Sequence, residues 1–341
     1  MKGYPTFLLL NIHHHMVSYT ELKKSHQTAI RIVFWFLARW AHTISKINPL
    51  HVRALAKRIS QYQNCSCPFE TTKNTTKETR ASVSNDIISF PDRELLIRTY
   101  RPVTNETLPI IIYYHGGGWM LGTLNDFDEI CSELADLSEA VVVSVAYRLA
   151  PEFQFPAAAL DACDALTWVT EHADQFGGDP SRIFVAGDSA GGGLAVVAAL
   201  KARESSGPNL KGQLLFYPAT NPANWHNIEI DFMEIDQLFL VKYLVWIRET
   251  YAPDPADWRD ERLSPLLASD VTGLPPTLLI TADFDPLKRE GLEYGDRLSI
   301  SGIPVDVHSI PAYHGFLNMS RPEPRNRALS LAGRFVKQST C

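Results

Sequence analysis

Beyond residue 86, short apolar runs alternate with longer segments that mix apolar and polar positions at helical spacing. The runs at 94–101, 109–115, 140–147, 182–187, 212–217, 276–282 and 305–310 predict strands. Two of them, Ile110-Ile111-Ile112-Tyr113-Tyr114 and Val141-Val142-Val143, contain no polar alternation at all, as expected of strands buried on both faces. The intervening segments 126–138, 157–176, 190–205 and 287–301 predict helices. Strands alternating with helices in this way give an α/β fold with a mainly parallel central sheet flanked by helices.

Three stretches fall outside that rhythm. Residues 1–63 read as helical, with apolar residues interleaved with Lys and Arg at 29–42 and 50–59. Residues 64–85 are rich in Thr, Ser, Asn and Lys, the composition of a loop or linker. Residues 219–262, punctuated by Asn, Pro and Trp, hold a helical pattern at 237–250 and are too long for a simple strand–helix connection. We therefore expect an N-terminal helical cap segment with its linker (1–85). A core domain (86–341) should follow, whose insertion at about 219–262 joins the N-terminal helices as a cap.

Composition narrows the classes. The chain has 341 residues, 45% hydrophobic and 21% charged, with a formal net charge of −6. Those values exclude a disordered chain, a collagen-like fibre and a disulfide-stapled miniprotein, and a mildly acidic surface is not that of a nucleic-acid binder. The longest apolar cluster, 32–38, lies between Arg31 and Arg39 and is far short of the roughly 20 residues that span a bilayer. The cysteines at 65, 67, 131, 163 and 341 are few and odd in number, which points to free thiols in a cytoplasmic, reducing compartment. N-x-[ST] sequons at Asn64, Asn74, Asn105 and Asn318 leave secretion open, although the apolar run Phe7–Leu10 is too short for a signal core. His13-His14-His15 would point three ways on a helix, with no acidic partner at a useful spacing, so no metal site is expected there.

Candidate chemistry sits at the end of two apolar strands. Gly187-Asp188-Ser189-Ala190-Gly191 fits G-x-S-x-G, follows the run Ile183–Ala186 and precedes the helix-prone Leu194–Leu200. A serine on such a sharp strand-to-helix turn is lifted clear of the sheet, and the helix N-terminus behind it favours negative charge. Alone the motif is weak, since about 0.1 matches per chain of this length arise by chance. The second element is His115-Gly116-Gly117-Gly118-Trp119, where consecutive glycines let the backbone bend until its N–H groups converge on one point.

Together these residues resemble the hormone-sensitive-lipase-like branch of the α/β-hydrolases. Tyr147-Arg148-Leu149-Ala150-Pro151-Glu152 and Phe155-Pro156-Ala157-Ala158 with Asp161 match further blocks of that family, in collinear order from 86 to about 335. The resemblance implies an α/β-hydrolase fold with a helical cap, and a triad in the chain order Ser, Asp, His. Its D-P-L block is Asp285-Pro286-Leu287, and its histidine element is His314-Gly315-Phe316. Ser189 is then the expected nucleophile, His314 its base and Asp285 the orienting acid. Gly116, Gly117, Gly118 and Ala190 form the expected oxyanion hole, with Gly116 aiding the bend.

Several assignments compete. Asp283, two residues before Asp285, could face the same way in an extended segment; the family block favours Asp285. Asp188 reads as structural, His115 as a residue that orders the glycine turn, and His308 as an ordinary strand residue. Arg289 stands where the family has an acid, so a salt bridge near the triad acid is expected to be missing or rewired. Ala146 replaces a common Asp.

The implied reaction is hydrolysis of a small or medium carboxylic ester without a cofactor, by a monomer or homodimer. Phe34, Trp35, Phe36, Trp40, Tyr243 and Trp246 are available to line the acyl pocket. A lyase or cyclase on the same scaffold is one alternative. A non-catalytic receptor is another, although receptors on this fold lose the histidine that stands here as His314.

Overall fold

The computed structural model describes Leu50 and residues 81–228, 235–318 and 322–340. The expected N-terminal cap, its aromatics at 34–40, His13–His15, Cys65, Cys67, Cys341, Asn64 and Asn74 lie outside the described residues. Eight strands form one sheet: β1 (Ala81–Ser89), β2 (Glu94–Pro102), β3 (Leu108–Tyr114), β4 (Val141–Val145), β5 (Gly178–Asp188), β6 (Leu210–Phe216), β7 (Thr277–Phe284) and β8 (Val305–Tyr313). Their spatial order is β1-β2-β4-β3-β5-β6-β7-β8. The first two ladders are antiparallel, and all the others are parallel.

The uninterrupted apolar runs have the predicted consequence. Ile110, Ile112 and Tyr114 of β3 enter the core on one face of the sheet, while Ile111 and Tyr113 enter the core on the other. Val141 and Val143 of β4 and Ile183 and Val185 of β5 join the first face, and Val142, Phe184 and Ala186 the second. Fully burying a side chain of this size contributes about 1.5–3 kcal/mol, so these central strands supply much of the core on both faces of the sheet.

Helices cover both faces. The first carries α2 (Ala157–Glu171), α3 (Ala190–Glu204) and α5 (Lys288–Ile300), and the second carries α1 (Asp128–Ser138) and α6 (Pro322–Thr340). The expected helices at 126–138, 157–176, 190–205 and 287–301 correspond to α1, α2, α3 and α5, with short 3-10 turns at Leu124–Phe127 and Ala173–Phe176. Two elements were not expected. β1 begins inside the stretch read as linker, and α6 lies beyond the last predicted strand.

Between β6 and β7 the chain leaves the sheet, as the break in rhythm at 219–262 suggested. It forms a 3-10 turn (Pro222–Asn227), helix α4 (Ile235–Tyr251) and a second 3-10 turn (Pro255–Arg259). This insertion packs on the loop that follows β3, where Trp119 stacks on Tyr251 with centroids 5.0 Å apart and on Trp225 at 5.9 Å. Among the described residues no helix is long and apolar enough to cross a membrane.

Candidate active site

Ser189 occupies the single residue between β5 and α3. Its φ of 53° and ψ of −120° are strained for a residue with a side chain, and the surrounding bonds hold it there. Its N–H donates to the Phe216 carbonyl at 2.9 Å, and its own carbonyl accepts from Ala219 N at 2.9 Å and Gly193 N at 3.2 Å. The turn is tight enough that a Cβ at Gly191 would lie 1.9 Å from the Tyr114 carbonyl oxygen, so glycine is required there.

The turns after β7 and β8 bring two more side chains to the serine. Ser189 Oγ lies 2.8 Å from His314 Nε2, and His314 Nδ1 lies 2.8 Å from Asp285 Oδ2. A carboxylate beside Nδ1 requires the hydrogen on that nitrogen, which leaves Nε2 to accept from the serine hydroxyl. The Asp285 carboxylate is fully buried, and its Oδ1 accepts the Leu287 N–H at 2.8 Å. His314 is only 13% exposed. Burial opposes its protonation, but the charge and hydrogen bond of Asp285, with Asp188 and Glu290 farther off, outweigh that and raise its pKa. The edge of the Tyr217 ring rests on the imidazole at a centroid distance of 5.1 Å.

Asp283 does not meet His314. Its carboxylate accepts from Lys288 Nζ at 2.8 Å and from Ser309 Oγ at 2.6 Å, near the surface. His308 pairs with Asp306 at 2.9 Å along β8.

The glycine turn after β3 stands beside the serine turn. Gly117, Gly118 and Trp119 have φ values of 118°, 64° and 57°, a run of left-handed backbone that reverses the chain. The Gly116 N–H is committed to Asp188, whose Oδ1 accepts it at 2.8 Å and accepts Tyr113 Oη at 2.8 Å. Gly116 therefore ties the two turns together instead of presenting its N–H to a ligand. Burial pushes the Asp188 pKa up to about 6, against those two hydrogen bonds and the nearby His314. His115 is buried between the rings of Tyr147 and Phe127, at 4.4 and 5.2 Å, and its Nδ1 donates to the Gly116 carbonyl at 2.8 Å. Burial lowers its pKa to about 4, so the ring is neutral and braces the turn.

Residues 111–318 match the family described as alpha/beta hydrolase fold. The chain belongs to the α/β-hydrolase fold family. Carboxylesterase NlhH of Mycobacterium tuberculosis is 40% identical over 242 residues, which cover 68% of this chain and 74% of that one. Ethyl acetate hydrolase of Pseudomonas putida is 37% identical over 232 residues, 66% of this chain and 72% of the relative. Among solved structures, the thermostable carboxylesterase EstE1 from a metagenomic library has a TM-score of 0.74 and 34% identity, with 86% of this chain and 98% of that one covered.

In this α/β-hydrolase the remaining family blocks form a separate brace. The buried Asp161 carboxylate accepts from Arg93 Nε at 2.7 Å and from Arg148 Nη2 at 2.8 Å, which joins the 147–152 block to α2. Ala146 takes part only through its backbone, donating to the Leu96 carbonyl at 2.9 Å.

The α/β-hydrolase site also has a member that the sequence reading missed. Arg289 does lie on the surface, 3.0 Å from Glu293, but the next residue is a buried carboxylate. Glu290 accepts from Thr220 N at 2.8 Å, Asn221 N at 3.0 Å and Trp225 Nε1 at 2.9 Å. It fastens the start of the insertion to the helix that follows Asp285. Burial raises its pKa to about 7 despite those donors.

Proposed function

We propose that this α/β-hydrolase cleaves small or medium carboxylic esters with Ser189 as nucleophile, His314 as general base and Asp285 as orienting acid. The observation that carries the reading is the unbroken relay from Ser189 Oγ through His314 to Asp285, with both contacts at 2.8 Å. Ser189 attacks the ester carbonyl carbon while His314 Nε2 takes its proton, and Asp285 stabilises the imidazolium that forms. The carbonyl oxygen becomes an oxyanion held by the N–H groups of Gly117, Gly118 and Ala190. As the first residue of α3, Ala190 has no intrahelical acceptor for its N–H. Each such donor contributes about 2.7–4 kcal/mol to lowering the barrier.

Collapse of the tetrahedral species expels the alcohol, which takes the proton from His314. Water, activated by the same histidine, then hydrolyses the acyl-serine. The steps balance with the chain's own groups and water. The insertion at 219–262 serves as cap, and Tyr243 and Trp246, stacked with centroids 5.8 Å apart on α4, are its aromatic lining. Ester-cleaving relatives such as the ethyl acetate hydrolase support a short acyl chain as the preferred substrate.

The test is a series of p-nitrophenyl esters from acetate to palmitate, assayed with wild type and Ser189→Ala. Turnover of the short esters that vanishes in Ser189→Ala supports the reading. No turnover across the series overturns it and favours a lyase or a binding protein on the same scaffold.

A further inference from the structure

The residues expected to bind the oxyanion do not rest on the sheet alone. A Cβ built on Gly118 would lie 2.6 Å from Ile247 Cδ1 and 2.7 Å from Ile247 Cγ2, so helix α4 of the insertion presses directly on that glycine's backbone. One residue along, the Trp119 ring is held between Tyr251, also on α4 (interplanar angle 13°), and Trp225 of the same insertion (25°). Ile247, Trp119, Trp225 and Tyr251 are all buried. The turn is left-handed at Gly117, Gly118 and Trp119; glycine adopts that state freely, whereas at Trp119 it is strained and holds only when the surroundings over-determine it. The turn is tied to Asp188 through Gly116 N and to the Ala150 N–H through the Trp119 carbonyl at 2.8 Å, and the insertion meets it through the side chains of Ile247, Trp225 and Tyr251.

We propose that α4 is a splint for the glycine turn, in which Ile247, seated on Gly118, is a positioning residue for the anion-binding N–H groups. The insertion thereby does more than cover the site. Its seating sets whether Gly117 and Gly118 stand where a tetrahedral oxyanion needs them. The catalytic consequence rests on the ester-hydrolase reading, whereas the mechanical claim does not.

The experiment compares Ile247→Ala and Ile247→Val with wild type in the full chain. Hydrogen–deuterium exchange is followed on peptides covering 115–122 and, as an internal reference, 183–192. In parallel, kcat and KM are measured on p-nitrophenyl acetate and hexanoate. With the splint removed in Ile247→Ala, exchange over 115–122 accelerates by about tenfold while 183–192 is unchanged. The same variant loses at least about tenfold in kcat, by one factor for both acyl chains and with KM little altered, the mark of a transition-state contact.

Ile247→Val, which keeps Cγ2 on Gly118, stays within about threefold of wild type in kcat. If Ile247→Ala does not fold, Ile247→Val is read by the same two measurements and shows a smaller shift in the same direction. Unchanged exchange over 115–122 overturns the splint. So does a loss confined to KM that varies with acyl length, which would make Ile247 a pocket wall. Absence of ester turnover in wild type would overturn the ester reading, and the exchange data would still decide the splint.

Discussion

Asp188 Oδ1 accepts the Gly116 N–H at 2.8 Å, so the residue before the candidate nucleophile holds the first glycine of the opposite turn. Two strand ends that the sequence separates by α1, β4 and α2 are thereby locked at one carboxylate, which Tyr113 also bonds. Asp188→Ala strands two buried donors and should cost about 2–6 kcal/mol, at roughly 1–3 kcal/mol for each. Asp188→Asn keeps an acceptor oxygen and should cost less. Thermal melts of the two variants give the order directly, and equal melting temperatures for both variants and wild type would contradict the tie.

The two neighbouring aspartates should separate cleanly. Asp285→Asn leaves His314 without its carboxylate, and kcat should fall on the order of 10⁴-fold, as in the serine-protease triad. Asp283→Asn removes the charge from the surface pair with Lys288 and leaves an amide oxygen to accept from Ser309, and stability should move by less than about 1 kcal/mol with activity retained. The pH profile supplies a second readout. A histidine in the proposed role of base works only when neutral, so kcat/KM should rise with pH through the raised pKa of His314. Removing the Asp285 charge should shift that acidic limb to lower pH in the residual activity of Asp285→Asn.

Glu290 carries a pH dependence of opposite character. Its folded pKa of about 7 lies above the ordinary 4.5, so the folded chain holds this proton more tightly than the unfolded one. Its contribution to stability therefore falls as pH rises from about 4.5 to about 7, and is flat above that. Glu290→Gln is neutral throughout and should flatten melting temperature against pH in that window. Above about pH 7, where Glu290 is the carboxylate, Glu290→Gln should also lower the melting temperature, because an amide NH2 then faces a donor that the carboxylate had satisfied, at about 1–3 kcal/mol. Melts at a series of pH values check both parts.

How much of this was legible in the sequence follows from what each residue signals locally. The runs in β3, β4 and β5 are apolar at every position because both faces are covered, and that pattern needs no tertiary context. The two glycine motifs announce themselves because their backbones permit little else. β1 did not, since in Ala81–Ser89 Ile88 alone is fully buried, so its polar face reads as linker. Helix α6 also has a largely polar sequence, with a stripe of Ala328, Leu329, Ala332 and Val336 that becomes a signal once α1 packs on it.

Glu290 looks like any carboxylate in the first turn of a helix, where acids are common. Its burial arises from Thr220, Asn221 and Trp225, some 70 residues away in sequence. Ile247 is likewise one apolar position among many on α4. Contacts made by an insertion have no local pattern to betray them.

In the proposed reaction Ser189 carries the acyl group between two half-reactions. Intact-protein mass spectrometry during turnover of p-nitrophenyl acetate, quenched in acid and followed by peptide mapping, tests it most directly. The expected result is an adduct of about 42 Da on the peptide that contains Ser189, absent from Ser189→Ala, as covalent catalysis requires. Undiminished turnover in Ser189→Ala, or an acyl group trapped on a different residue, would contradict it.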